Sequence, residues 1–286
     1  MSRVAYVNGA YRPLSQASVS IEDRGYQFAD AIYEVWAVRG GRLLDLDGHL
    51  TRLARSLRAI GIDSPMSDAS LLAVAAETVR RNRVRDGLVY LQISRGVAPR
   101  DHAFPDPPVR PSVIVVAKPA DMKAIEARAR VGIAVITAPD QRWARCDIKS
   151  VGLLPNVLAK QAAREAGAFE AWLVDEAGKV TEGTSSNAWI IDAEGRLRTP
   201  PLSKNILAGV TRAALLRIAE AHQIPVLEQG FTVEEAHHAR EAFISSASAG
   251  ALAVVSIDGH VVGDGAPGPV AQLLRDAYFG APDPPG

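Results

Sequence analysis

Val4 to Val7, the pair Asn8-Gly9 and then Tyr11 predict a β-hairpin whose turn requires positive φ, a conformation that asparagine and glycine accept. Val35 to Val38, Gly40-Gly41 and Leu43-Leu44 repeat that signature. Between Leu46 and Ile60 the apolar residues Leu50, Leu53, Leu57 and Ile60 recur at helical spacing, and a second helix is predicted over Ser67 to Asn82. Leu88 to Ser94 and Ser112 to Ala117 predict strands, so the first half reads as a mixed sheet with helices alongside.

Lys118-Pro-Ala-Asp-Met-Lys123 combines a proline with polar residues between strand-like segments, the composition of an interdomain linker. The expected division is an N-terminal domain over residues 1–118, a linker at 119–124 and a C-terminal domain over 125–279. The Pro- and Gly-rich end, 280–286, is expected to be disordered. Pro155-Asn156 begins a helix that Gly167 ends, so Lys149 lies just before a helix. Ala171 to Val174, Val180 and Ala188 to Ile191 predict strands around a turn at Glu176-Ala-Gly178. Further helices are predicted from Thr211 to His222 and from Pro269 to Tyr278, and no internal repeat is present.

Composition narrows the class. At 286 residues, two domains sharing an interface are the default. Hydrophobic residues at 48% and charged residues at 22% describe a soluble globular protein. Thirty-two basic residues balance thirty-two acidic ones, which gives no electrostatic reason to expect nucleic acid or an anionic membrane as partner. The N-terminus lacks the apolar stretch of a signal peptide, runs such as Val113 to Ala117 are too short to span a bilayer, and a single cysteine, Cys146, fits a reducing compartment. A cytoplasmic location is therefore expected. With no histidine nearby in sequence, Cys146 reads as a small buried hydrophobe, not a nucleophile.

The chemistry concentrates around Lys149, in Arg142-Trp-Ala-Arg-Cys-Asp-Ile-Lys-Ser-Val-Gly-Leu-Leu-Pro-Asn156, and the following run Thr181-Glu-Gly-Thr-Ser-Ser-Asn187. A lysine among apolar and small residues can shed its proton and attack a carbonyl carbon, such as the aldehyde of pyridoxal phosphate. A carboxylate can hold that cofactor's ring nitrogen protonated and make the ring an electron sink, and Glu182 is the candidate. A lone lysine is otherwise a solvated surface residue. Gly209-Val210-Thr211-Arg212 opens a helix, where backbone N–H groups suit a phosphate or an ordinary cap. His49 and Arg52, three apart, share a helix face, and the loop Ser94 to Pro105 gathers Arg100 and His102; both patterns also suit plain surface charge.

These segments, together with Ile21-Glu-Asp-Arg-Gly-Tyr-Gln-Phe-Ala-Asp-Ala-Ile-Tyr-Glu-Val35, resemble the class IV, or fold type IV, aminotransferases, with the D-amino acid aminotransferases most similar. The likeness runs in order from Tyr6-Val-Asn-Gly9 to Ile257-Asp-Gly259. It implies an α+β, two-domain fold type IV architecture: a smaller N-terminal α/β domain, a larger C-terminal domain and a cofactor cleft between them. It implies pyridoxal 5'-phosphate attached to Lys149, with Glu182 on the ring nitrogen and Leu207 against the ring face. Arg52, Gly209, Val210, Thr211, Ser246 and Ala247 correspond to the phosphate site, Ala247 standing where threonine is expected. Tyr33, Arg100 and His102 correspond to a clamp for the substrate carboxylate, and Tyr90 to a tyrosine near cofactor or substrate. The resemblance implies a homodimer in which the clamp loop comes from the neighbouring subunit.

The implied reaction is ping-pong transfer of an amino group from a D-amino acid, such as D-alanine, to a 2-oxo acid, such as pyruvate or 2-oxoglutarate, with Lys149 moving the proton. No metal is expected. The alternatives of the same fold are a branched-chain L-amino acid aminotransferase and an aminodeoxychorismate lyase, and beyond them a non-catalytic pyridoxal phosphate binding protein. Asp101, between the two clamp residues, would repel an acidic substrate if it pointed inward.

Overall fold

Asn8 and Gly9 turn at φ of 47° and 99°, closing the first hairpin between β1 (Val4–Val7) and β2 (Ala10–Pro13). The computed structural model describes residues 3–280. The chain divides into two compact units: one runs to Asp121 and takes in Ile148–Gly152, and the other comprises Met122–Asp147 and the chain from Leu153 onward.

The first unit continues with α1 (Arg24–Phe28), β3 (Ala31–Arg39), β4 (Arg42–Leu43), α2 (Leu46–Ala59), α3 (Asp68–Asn82), β5 (Gly87–Ser94) and β6 (Ser112–Pro119). Among the described residues its sheet has six strands in the order β2-β1-β6-β5-β3-β4, every pair antiparallel. Ile32 and Trp36 on β3 pack with Leu53 and Leu57 on α2 and Leu71 on α3. Each such side chain, fully removed from water, contributes about 1.5–3 kcal/mol. Ser67 caps α3 by accepting from Ser70 N–H.

The second unit contains α4 (Met122–Val131), β7 (Ile133–Pro139), α5 (Leu154–Glu165), β8 (Glu170–Val174), β9 (Val180–Gly183), β10 (Asn187–Ile191), β11 (Leu197–Arg198), α6 (Val210–Ala221), β12 (Val226–Leu227), α7 (Val233–His237), β13 (Glu241–Ser246), β14 (Gly250–Ile257), β15 (His260–Val261) and α8 (Pro269–Gly280). Among the described residues these form a nine-stranded mixed sheet, β12-β11-β10-β13-β14-β7-β8-β9, with β15 on β14. Both faces are covered. Trp189 and Ile191 enter one apolar cluster with Phe243, Leu215 and Leu274, while Ala188 and Ile190 enter another with Trp172 and Phe231. Alternate side chains of a strand point to opposite faces, so burial on both sides explains the unbroken apolar run of β10.

The division between the units falls after Asp121, within residues 119–124, and the connection is short. β6 extends through Pro119 and α4 begins at Met122, so Ala120 and Asp121 alone intervene. Pro119 pairs with Gly87 at the end of its strand, a position where the missing N–H is tolerated. α4 has no buried residue, which is why its periodicity was too weak to predict it. Ile148–Gly152 joins the first unit because Ser150 bridges Ile32 and Tyr33 N–H donates to Lys149 O at 3.0 Å. Residues 281–286, most of the expected tail, lie outside the described residues, and Gly280 is the last residue of α8. Among the described residues no helix is long and apolar enough to cross a membrane.

Candidate active site

In the first unit, alternation along β3 sets two different faces to work. Ile32, Glu34 and Trp36 are buried on one, while Tyr33 and Val35 are half-buried on the other. Tyr33 stacks on Tyr90 of β5 with centroids 5.6 Å apart, and Lys149 Nζ lies 4.3 Å from the Tyr33 ring centroid. Lys149 is anchored through its backbone, its N–H donating to Ser56 Oγ of α2 at 3.3 Å. The lysine thus has a fixed origin and a side chain laid on an aromatic face. Burial, reinforced by Tyr33, pushes the Tyr90 phenol up to about 12. Tyr90 is therefore a neutral donor, and its hydroxyl donates to Gln92 Oε1 at 2.8 Å.

Arg52 and His49 do not form the solvated face that their spacing usually marks. Both are buried and converge on Glu34, which is wholly inaccessible. Arg52 Nε donates to Glu34 Oε1 at 2.8 Å and Nη2 to Oε2 at 2.7 Å, while His49 Nδ1 lies 2.7 Å from Oε2. Burial alone would raise the Glu34 carboxyl, but the Arg52 guanidinium and the His49 contact outweigh it and hold the group at about 2. The bidentate fork fixes the guanidinium plane.

The loop after β5 carries Arg100, Asp101 and His102, all exposed. Arg100 stacks over the Phe28 ring at 4.7 Å, and His102 meets the same ring edge-on at 5.5 Å. Asp101 Oδ1 accepts from Ala103 N–H at 3.1 Å, so its carboxylate caps its own loop.

The second unit builds its centre on Glu182, at the end of β9 and 6% exposed. Arg142 Nη1 donates to Glu182 Oε1, while Asn187 Nδ2 at 3.1 Å and Leu207 N–H at 3.0 Å donate to Oε2. Arg142 also donates to Asp140 Oδ2 at 2.7 Å and Asn205 O at 2.9 Å. Burial would lower its pKa, yet Asp140 and Glu182 together raise it, so Arg142 is a permanent cation. The corner between Glu182 and Asn187 is pinned by Glu170, a buried carboxylate that accepts from the hydroxyls of Thr184, Ser185 and Ser186.

Asn187 links this centre to the start of α6, its Nδ2 also donating to Leu207 O at 3.0 Å. Gly209 precedes α6 with no capping side chain, and a Cβ there would lie 2.0 Å from Asn187 Oδ1. Val210 and Thr211 are buried in the first turn, with Thr211 Oγ1 3.5 Å from Tyr278 Oη. Ser246 and Ala247 sit half-buried in the turn joining β13 to β14, the Ser246 hydroxyl 3.2 Å from that of Ser248. The Leu207 backbone serves Glu182 and Asn187, a function its apolar side chain does not announce.

Glu34, Arg142, Glu170 and Asn187 are among the residues of these networks that the sequence does not mark as candidates. Glu34 carried a signal, a charge between Ile32 and Trp36 on the buried face of a strand. Arg142 and Glu170 carried none, because the partners that place them in the site, Glu182 for one and Thr184 to Ser186 for the other, lie 40 and 14 to 16 residues away. Cys146 accords with its inert reading: burial pushes its thiol up to about 11, and Sγ donates to Trp143 O at 3.1 Å. Among the described residues no group of acidic, histidine or cysteine side chains is arranged to hold a metal ion.

Known proteins bear on these arrangements. The sequence matches the family described as amino-transferase class IV over residues 31–257. It is 43% identical over 273 residues to a D-alanine aminotransferase of Bacillus licheniformis, covering 94% of each chain. It is 41% identical over 274 residues to a D-alanine aminotransferase of Staphylococcus haemolyticus, covering 96% of this chain and 95% of that one. The fold matches the T.th. branched-chain amino acid aminotransferase solved with pyridoxamine 5'-phosphate, with a TM-score of 0.88 at 26% identity, covering 98% of this chain and 93% of that chain.

Proposed function

This chain belongs to the class IV aminotransferases, and from that membership we propose that it transfers the amino group of a D-amino acid, D-alanine foremost, to a 2-oxo acid. It is an enzyme, and its cofactor is pyridoxal 5'-phosphate. The observation that carries the choice of substrate is the pairing of Arg100 and His102 on one aromatic mount. The end-to-end similarity to proteins named D-alanine aminotransferase supports it.

The residues fit the cofactor on chemical grounds. An ionised carboxylate only accepts hydrogen bonds, so Glu182, paired with Arg142, suits a protonated ring nitrogen. The uncapped start of α6 offers the N–H groups that a phosphate satisfies. When bound, the cofactor supplies an electron sink for the carbanion left when the α proton departs. Lys149 Nζ would hold the cofactor through its carbonyl carbon, and its amine would move the proton at the substrate α carbon. Arg52, Gly209, Val210, Thr211, Ser246 and the amide of Ala247 hold the phosphate, and Leu207 supports the ring face. Tyr33 with Arg100 and His102 binds the substrate carboxylate, and Tyr90 packs against Tyr33.

The reading includes a homodimer in which each subunit lends its Arg100 loop to the other, and a cytoplasmic setting, supported by the single, inert Cys146 thiol. The test is spectroscopic. Purified holoenzyme should lose its visible cofactor band on adding D-alanine and regain it with 2-oxoglutarate. Bleaching by L-leucine and not by D-alanine would overturn the D-specific reading in favour of the branched-chain activity of the structural relative.

A further inference from the structure

The Phe28 ring is a meeting point that the reaction outlined above does not use. Three cationic or ionisable side chains contact it: Arg24 at 4.8 Å, Arg100 at 4.7 Å and the His102 ring at 5.5 Å. Arg24 is 3% exposed, and its two terminal nitrogens donate to Asp101 O at 2.6 Å and His102 O at 3.3 Å. Its Nε is anchored on Asp30 Oδ2 at 2.8 Å. The same carboxylate accepts from Arg95, which stacks over Phe104 at 3.5 Å. Burial would raise Asp30, but Arg95 and Arg24 hold it below its ordinary value, so the anchor is a permanent anion. The mount itself is fixed: Asp23 caps α1 by accepting from Gly25 N–H at 2.9 Å and also accepts from Ser94 Oγ at 3.0 Å.

We infer that Arg24 and Phe28 are positioning residues for substrate-carboxylate recognition, holding Arg100 and His102 in a fixed mutual geometry before substrate arrives. The inference rests on the reading of the Arg100 loop as a carboxylate clamp. An arginine on an exposed loop samples many rotamers, and that freedom must be lost on binding. Stacking on an aromatic face removes part of it in advance. The face of the guanidinium is used by the ring, while a carboxylate binds along the in-plane N–H edge, so the two contacts are compatible. Arg24 fixes the backbone of Asp101 and His102, which sets where the His102 ring meets Phe28. Neither residue touches the reacting atoms in this scheme; both act through Arg100 and His102.

The experiment uses holoenzyme carrying Phe28→Leu, Phe28→Tyr, Arg24→Lys or, as reference, Arg100→Ala. Steady-state KM and kcat are measured with D-alanine, and single-turnover bleaching with D-alaninamide, which keeps the amine and lacks the carboxylate. Phe28→Leu should raise KM for D-alanine about three- to tenfold with kcat nearly unchanged, the scale of a lost cation–π contact. Phe28→Tyr, which keeps a ring, should restore KM to within about twofold. Arg24→Lys keeps a charge for Asp30 but does not bridge two carbonyls, and should raise KM about tenfold. The bleaching rate with D-alaninamide should not follow these changes. Equal losses on D-alanine and D-alaninamide would assign the pair a merely structural role and overturn the inference. A KM unmoved in Phe28→Leu while Arg100→Ala raises it would overturn the inference and leave the clamp standing. A KM unmoved in Arg100→Ala would overturn the clamp reading itself. If Arg24→Lys does not fold, as judged by thermal unfolding, the two Phe28 variants decide.

Discussion

Arg142 is bound to Glu182 through one terminal nitrogen and to Asp140 through the other, so a single buried guanidinium bridges two carboxylates that are 42 residues apart in sequence. The arrangement pairs Glu182 with a cation at its Oε1, while Asn187 and the Leu207 amide fix its Oε2. Removing the cation strands both anions. Arg142→Ala should destabilise the protein by about 3–5 kcal/mol, the cost of an uncompensated buried charge. Urea unfolding compared with the parent protein measures it, and a loss below about 1 kcal/mol would show that the pair is not coupled in this way.

In the proposed function Lys149 attaches the cofactor and Glu182 activates it, and two variants separate these roles. Lys149→Ala should abolish the visible band and reduce turnover by several orders of magnitude. Glu182→Gln should keep a band and lower kcat about a hundredfold or more, because it removes charge from a preorganised electrostatic partner. Absorbance spectra and kcat for the two variants distinguish these outcomes; a persistent band in Lys149→Ala would mean that another amine holds the cofactor.

The Glu34 cluster predicts acid lability. Glu34 lies at about 2, below its ordinary 4.5, so its stabilising contribution is complete above pH 4.5 and is lost as pH falls toward 2. That shift corresponds to about 3 kcal/mol. Burial, partly countered by Glu34, lowers His49 below 6.5, so its contribution is also complete above that pH and diminishes below it. Both groups act in one direction. Denaturant midpoints measured from about pH 8 to 3 should be flat above about pH 6.5 and fall steadily below, and a maximum near pH 5 would contradict this.

Gly209 is required by close approach, since its φ of −64° is open to any residue. A methyl group there would meet Asn187 Oδ1 at 2.0 Å and drive Asn187 away from Glu182 and Leu207. Gly209→Ala should weaken pyridoxal phosphate binding about tenfold or more and lower stability by about 1–3 kcal/mol. Equilibrium titration of apoprotein with the cofactor, followed by protein fluorescence, provides the check.

Local periodicity made most of the fold legible. The Asn8-Gly9 hairpin, α2 from its Leu50, Leu53 and Leu57 stripe, α3 within the span Ser67 to Asn82 and α6 after Gly209 all depend on contacts within a few residues. α4 was not legible, because an amphipathic helix with no buried residue leaves a faint stripe. The assignment of Ile148–Gly152 to the first unit was not legible either, because a bridge between Ile32 and Ser150 joins residues 118 apart.

The same division runs through the site. The sequence alone determined the residue types and their order: Lys149, Glu182, the glycine before α6 and the Arg100-x-His102 loop, each readable because its chemistry needs a particular side chain or backbone freedom. The tertiary structure alone decided what holds them. Arg52 lies on Glu34, Arg142 on Glu182, and Phe28 beneath Arg100 and His102. These are pairings of charge and aromatic face across strands, helices and loops. A charge in a sequence declares its sign and not its partner, and the partner is chosen when burial removes water and leaves each buried ion to find its complement.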